Sequence, residues 1–244
     1  MQSPLIAQSE CQLIAIITPK GGIGKTTTAV NLGFGLNRLG KKVLLLDLTP
    51  HADLTNILGV NSKYNIYAAL ARKQKLKPVE ILNGLSIIPS NSDLIRTEIE
   101  LGSEYILRDM LEPLRASYDF IIIDCSISLG IGTVNAIAAC DEIIIPVQRE
   151  YSLNTLMHQL YKAKEFFKNN LKISGLLTNL FDFKGDSIKS ITEKHEINLF
   201  NTSIRIDQAL ARAFESGTDI FSYDSNSNGA QDYFCLCHEI VCRH

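Results

Sequence analysis

Lys20, Gly21, Gly22, Ile23, Gly24, Lys25, Thr26 and Thr27 stand in a row, and their types and order suit one task, cradling a polyphosphate. Glycines let backbone N–H groups turn toward an anion and approach it closely. An ammonium beside them neutralises phosphate charge, and the next hydroxyl can hold magnesium. In this reading Lys25 meets the β- and γ-phosphates, and Thr26 is a metal ligand. Asp124 closes a second apolar run, Phe120–Asp124. A carboxylate at the end of a strand can reach a hard cation, commonly through water. Asp124 is therefore the other candidate ligand for Mg²⁺.

Such a loop works only between a strand and a helix. The apolar run Leu13-Ile14-Ala15-Ile16-Ile17 precedes it, and Thr28-Ala29-Val30-Asn31-Leu32-Gly33 follows with helical character. The helix start adds unpaired N–H donors and a partial positive charge. Further runs rich in Ile, Val and Leu recur at Val43–Asp47, Leu85–Pro89, Phe120–Asp124, Ile143–Val147 and Ile173–Leu180. Runs of this kind fit strands buried on both faces of a parallel sheet. Amphipathic stretches lie between them. One carries Leu153, Leu156, Met157, Leu160 and Phe167 at helical spacing, a stripe that belongs to a core. Residues Ser222 to Gly229 read as a loop before a last helix. The alternation predicts an α/β fold, a doubly wound and mostly parallel sheet flanked by helices. Ligands then bind beyond the carboxyl ends of the strands, where residues 19–25 fall.

Length and charge narrow the classes. A chain of 244 residues can bury a substantial core as a single domain spanning 1–244. Its net charge of −2 means that any nucleic-acid contact must come from a local patch. The first eleven residues lack the basic start and apolar stretch of a signal peptide, and no apolar run is long enough to span a bilayer. The expected location is cytoplasmic. The six cysteines are expected as free thiols. Cys235 and Cys237 would leave a helix on different sides, and their spacing is too short for an ordinary zinc site.

The phosphate loop is not of the common kind. Its pattern wants glycine five residues before Gly24, and Pro19 stands there, with an additional lysine, Lys20, at the loop start. This variant resembles the ParA/MinD/nitrogenase-iron-protein group of dimeric ATPases. Lys42 to Asp53 is similar to the family's second strand and first switch, and Tyr118 to Gly130 to its Walker B strand and second switch. Similarity continues through Ile143 to Tyr151, Thr202 to Arg205, Ala211 to Ala213, Ile220 to Tyr223 and Asn228 to Tyr233. It covers nearly the whole chain and points to the compact ParA/Soj branch, which has no N-terminal helix-turn-helix.

The resemblance implies ATP and Mg²⁺ as ligands and an ATP-dependent homodimer. Residues 20 to 27 are implied to bind nucleotide, joined by Asn179, which matches an adenine-contacting asparagine in some relatives. Lys20 would reach the phosphates of the partner subunit, as a trans-acting finger. Asp47 matches the first aspartate of the switch pattern, but the second is Thr49 and the following glutamine is His51. A threonine offers no carboxylate to orient water. Binding and dimerisation are therefore expected with slow hydrolysis, unless Asp53 or His51 supplies the missing group. Lys20, Asp47 and Asp53 are the catalytic candidates. Two prolines usual in the second switch are Ser126 and Ile127 here, which predicts a looser loop.

Relatives of this branch bind DNA without sequence preference and act with a ParB-type stimulator. Residues 161–212 hold nine basic and six acidic side chains, and Arg205, Arg212 and Lys189 are the candidate DNA contacts. The tail after Cys237 has one arginine and no lysine, which argues against a membrane-binding helix. A cluster-bearing redox role needs paired cysteines, and only Cys125 lies near a switch. A cycling ATPase that positions DNA on the nucleoid is the expectation. A non-cycling nucleotide-dependent regulator, or a positioning ATPase for another cargo, is the alternative.

Overall fold

The computed structural model describes residues 10–18, 20–72, 74–96, 103–127, 130–148, 153–167, 172–181, 192–193 and 195–244. Eight strands form one sheet in the order β3-β4-β2-β5-β1-β6-β7-β8. They are β1 (Gln12–Ile16), β2 (Val43–Leu48), β3 (Val79–Leu82), β4 (Leu85–Ile88), β5 (Phe120–Cys125), β6 (Glu142–Val147), β7 (Lys172–Phe181) and β8 (Ile204–Arg205). All pairings are parallel except that between β3 and β4. The six predicted strands are present, with ends shifted by one or two residues. Two were not foreseen. β3 alternates half-buried and exposed residues and lies on the sheet edge, and β8 is only two residues long.

The runs β2, β5 and β6 are buried at every position because helices cover both faces. Alternate strand residues feed two cores. Leu13, Ala15, Leu44, Ile121 and Ile143 face one side with Met157 and Leu160 of the helix Leu153–Phe167, as the Leu/Met stripe predicts. Ile14, Ile16, Leu45 and Ile122 face the other, against α1 (Lys25–Arg38) and the last helix, Asn228–Val241. That last helix starts inside the predicted loop, because the Ser227 side chain caps it by accepting from Ala230 N.

The two helices on this face touch closely. Gly35 of α1 lies against the Cys237 Sγ and the Phe221 ring, so an added Cβ there has no space. Cys237 is buried while Cys235 is exposed, so the two thiols do leave the helix on different sides. None of the described helices is long and apolar enough to cross a membrane.

This contact is testable. Gly35→Val should destabilise the fold by about 1–3 kcal/mol through overpacking, read as a lower denaturation midpoint. Gly132→Val, at an open site in the helix Ile131–Ala139 and without positive φ, serves as the comparison for the same change without the clash.

Candidate functional site

The register of the central strands decides what meets at the carboxyl edge. Ile16 of β1 pairs with Asp124 of β5, and Asp124 pairs with Asp47 of β2. The loop after β1 therefore rises directly over two buried carboxylates. Gly22 and Gly24 have φ of 72° and 81°, a left-handed conformation that glycine adopts freely. Gly24 is also the N-cap of α1 and carries no side chain to satisfy the first-turn amides. Those amides point into a cleft of about 670 Å³, lined by the loop, Thr49, His51, Asp53, Ser126, Ile127 and Asn179.

The two carboxylates are treated in opposite ways. Asp47 is fully buried and accepts four hydrogen bonds. Thr49 donates its N–H (3.0 Å) and hydroxyl (2.8 Å) to Oδ1, and Thr55 donates its N–H (2.9 Å) and hydroxyl (2.7 Å) to Oδ2. Burial raises its pKa, and these four donors oppose that. The loop 49–55 is thus wrapped around one side chain. Ser90, after β4, fastens it further: its N–H donates to the Thr55 hydroxyl (2.8 Å), and its hydroxyl donates to the Thr49 carbonyl (2.6 Å).

Asp124 is buried as deeply, yet neither carboxylate oxygen has a hydrogen-bond partner. Its pKa is pushed up to about 8, first by burial and next by the Asp47 charge, while Thr26 and the Lys25 ammonium work the other way. An unpartnered buried carboxylate is costly unless something positive joins it. Thr26 beside it adds a second oxygen, and two oxygen donors of this kind fit Mg²⁺. Lys25, nearly buried, directs Nζ to the Lys20 carbonyl at 3.2 Å. Burial lowers its pKa, and Asp124 opposes the shift.

The structure brings Gly21, Gly22, Gly24, Lys25, Thr26, Thr27, Asp53 and Asn179 to the cleft wall, with Ile23 buried behind. Lys20 is exposed at its edge. Asp47, a catalytic candidate by sequence, lies beneath the wall with both oxygens accepting hydrogen bonds from loop 49–55. Asn179 also serves the loop, since its Nδ2 donates to the Ile23 carbonyl at 2.7 Å, while its Oδ1 has no hydrogen-bond partner among the described residues. Arg205, a candidate DNA contact by sequence, is half exposed and ion-paired. Its guanidinium grips Asp232 through Nε (2.9 Å) and Nη2 (2.7 Å). Arg212 is exposed on the helix Gln208–Glu215, and Lys189 lies outside the described residues. That helix supplies an apolar flank, Leu210, Ala211 and Phe214, which the motifs did not announce. Its signal was Asp207, an N-cap followed by apolar residues at helical spacing.

Known proteins are similar to this chain in sequence and fold. The family described as "AAA domain" matches residues 11–174. The chromosome partitioning protein ParA of Myxococcus xanthus is 35% identical over 95% of this chain and 88% of its own length. The sporulation initiation inhibitor protein Soj of Bacillus subtilis is 34% identical over 94% of this chain and 98% of its own. The chain belongs to the ParA/Soj family of P-loop ATPases. A solved structure of cobyrinic acid a,c-diamide synthase from Mycobacterium smegmatis, with bound ATP analogue and magnesium, superposes with a TM-score of 0.82 at 25% identity. It covers 95% of this chain and 94% of that one. Within the ParA/Soj pattern the departure at Thr49 has a local reason here: its hydroxyl is one of the four donors that hold Asp47.

Thr55→Val removes one donor from Asp47 and the acceptor of the Ser90 N–H. It should cost about 1–3 kcal/mol in chemical denaturation, whereas Thr55→Ser, which keeps the hydroxyl, should cost clearly less.

Proposed function

We propose that the protein is a partition ATPase that dimerises on ATP, binds DNA without sequence preference and is stimulated by a ParB-type partner. The observation that carries the nucleotide half is the buried Asp124 carboxylate without a hydrogen-bond donor, beside Thr26 and Lys25 under a glycine loop. Thr26 and Asp124 would hold Mg²⁺, which when bound shields phosphate charge and polarises the γ-phosphoryl group. The loop amides of residues 21–27 and the Lys25 ammonium bind and orient the phosphates. Leu210, Ala211 and Phe214 give the base an apolar flank, and Asn179 Oδ1 is the acceptor left for an amino group.

Asp53 is the one carboxylate that loop 49–55 turns to the cleft, since Asp47 is committed beneath it. It is the residue we assign to orienting water. Thr49 brings no charge there, so turnover is slow without a stimulator. That favours, as the second reading, a module that holds nucleotide long and cycles seldom. Lys20, exposed at the rim, is assigned to the partner's phosphates across the dimer. The role places the protein in the cytoplasm, on the nucleoid.

Calorimetry should show magnesium-dependent binding of ATP; its absence would remove the reading. Lys20→Ala should keep that binding and lose ATP-dependent dimerisation by light scattering. Asp53→Asn should lower turnover at least tenfold, in keeping with loss of a positioned general base, with binding unchanged.

A further inference from the structure

A concentration of positive charge lies away from the residues that the sequence placed as DNA contacts. Residues 61–96 hold six basic and two acidic side chains, a larger imbalance than the nine against six of residues 161–212. Lys73 is one of the six and lies outside the described residues. The other five, Lys63, Arg72, Lys75, Lys77 and Arg96, are all exposed. The fold gathers them. Lys63, Arg72 and Arg96 line one groove of about 400 Å³ between α3 (Ile66–Arg72) and the 3-10 turn Ser92–Arg96. Lys63 and Lys77 both lie over the Tyr64 ring, 5.8 and 4.0 Å from its centre, which joins Lys77 to the same surface. Among the described residues lining the groove, Asp93 is the one carboxylate, and it pairs with Arg96 at 3.7 Å.

Among the described residues of 161–212, two basic side chains are ion-paired. Asp232 takes the Arg205 fork, and Glu142 takes Lys172 at 2.8 Å. We propose that the surface around α3, with Lys63, Arg72, Lys77 and Arg96, binds the phosphate backbone of duplex DNA. This rests on the DNA-binding reading above and names the face that performs it. The chemistry fits a sequence-independent contact: lysines and arginines spaced along a groove neutralise phosphates and release counterions. Tyr64, 44% exposed between two lysines, adds a polar hydroxyl at the rim. A membrane is the poorer match, because interfacial binding needs a contiguous apolar face. Among the described residues beside Arg96, Ile95 is the strongly exposed apolar side chain.

Fluorescence anisotropy of a short labelled duplex of random sequence, with full-length protein, ATP and Mg²⁺, tests this. The double variant Lys63→Ala/Lys77→Ala should bind about tenfold more weakly, and its log–log salt slope should fall by about 2, one unit per lost phosphate contact. Arg205→Ala should leave both quantities near wild type. Asp93→Asn removes the groove's carboxylate and should strengthen binding several-fold, a gain that misfolding cannot imitate. Wild-type binding with the lysine pair and Asp93→Asn both unchanged would overturn the proposal and leave DNA binding standing. No binding by wild type would overturn the DNA reading itself. Capture by phosphatidylglycerol vesicles without duplex binding would assign the surface to lipid instead.

Discussion

Two buried carboxylates side by side at the ends of parallel strands are the constraint around which the site is built. Asp47 and Asp124 are register partners, and each raises the cost of charging the other. Burial of both is tolerable only with a division of labour. Asp47 receives the N–H and hydroxyl of both Thr49 and Thr55, and Asp124 receives no hydrogen bond. The first is thereby a structural anion that shapes a loop. The second has both oxygens without a hydrogen-bond partner, which is what supports the proposed Mg²⁺ site.

Much of this was legible in the residues because the signals were local. A glycine–lysine–threonine loop needs no tertiary information to be read, and β2, β5 and β6 declare themselves as unbroken apolar runs because both their faces are covered. β3 escaped notice for the opposite reason: on the edge, its outward residues are free to be polar. The roles of Thr49, Thr55 and Ser90 were hidden too, since each acts through a partner brought near by the fold. A threonine in place of an acid reads as a loss in the sequence and as a donor in the structure. The same holds for Arg205, a cation by composition and half of an ion pair by geometry.

The last helix is tied to the nucleotide end of the molecule more firmly than its distance along the chain suggests. The Tyr233 and Thr28 hydroxyls are 3.1 Å apart in the core. Asn31 of α1 holds the Thr27 carbonyl with Nδ2 and receives the Ile220 N–H on Oδ1. Asp232, next to Tyr233, grips Arg205. A rearrangement of the first turn of α1 on phosphate binding would therefore be felt through three packed elements, without any long relay.

Asn179 and Gly24 carry a different kind of consequence. A methyl group at position 24 would sit 2.6 Å from the Asn179 amide, on a backbone that only glycine adopts without strain. Bulk at one place is excluded by bulk at the other, although they lie in distant halves of the sequence. Among diverging descendants of this chain, position 24 should stay glycine even in a lineage that has shortened 179, because the backbone strain outlasts the clash.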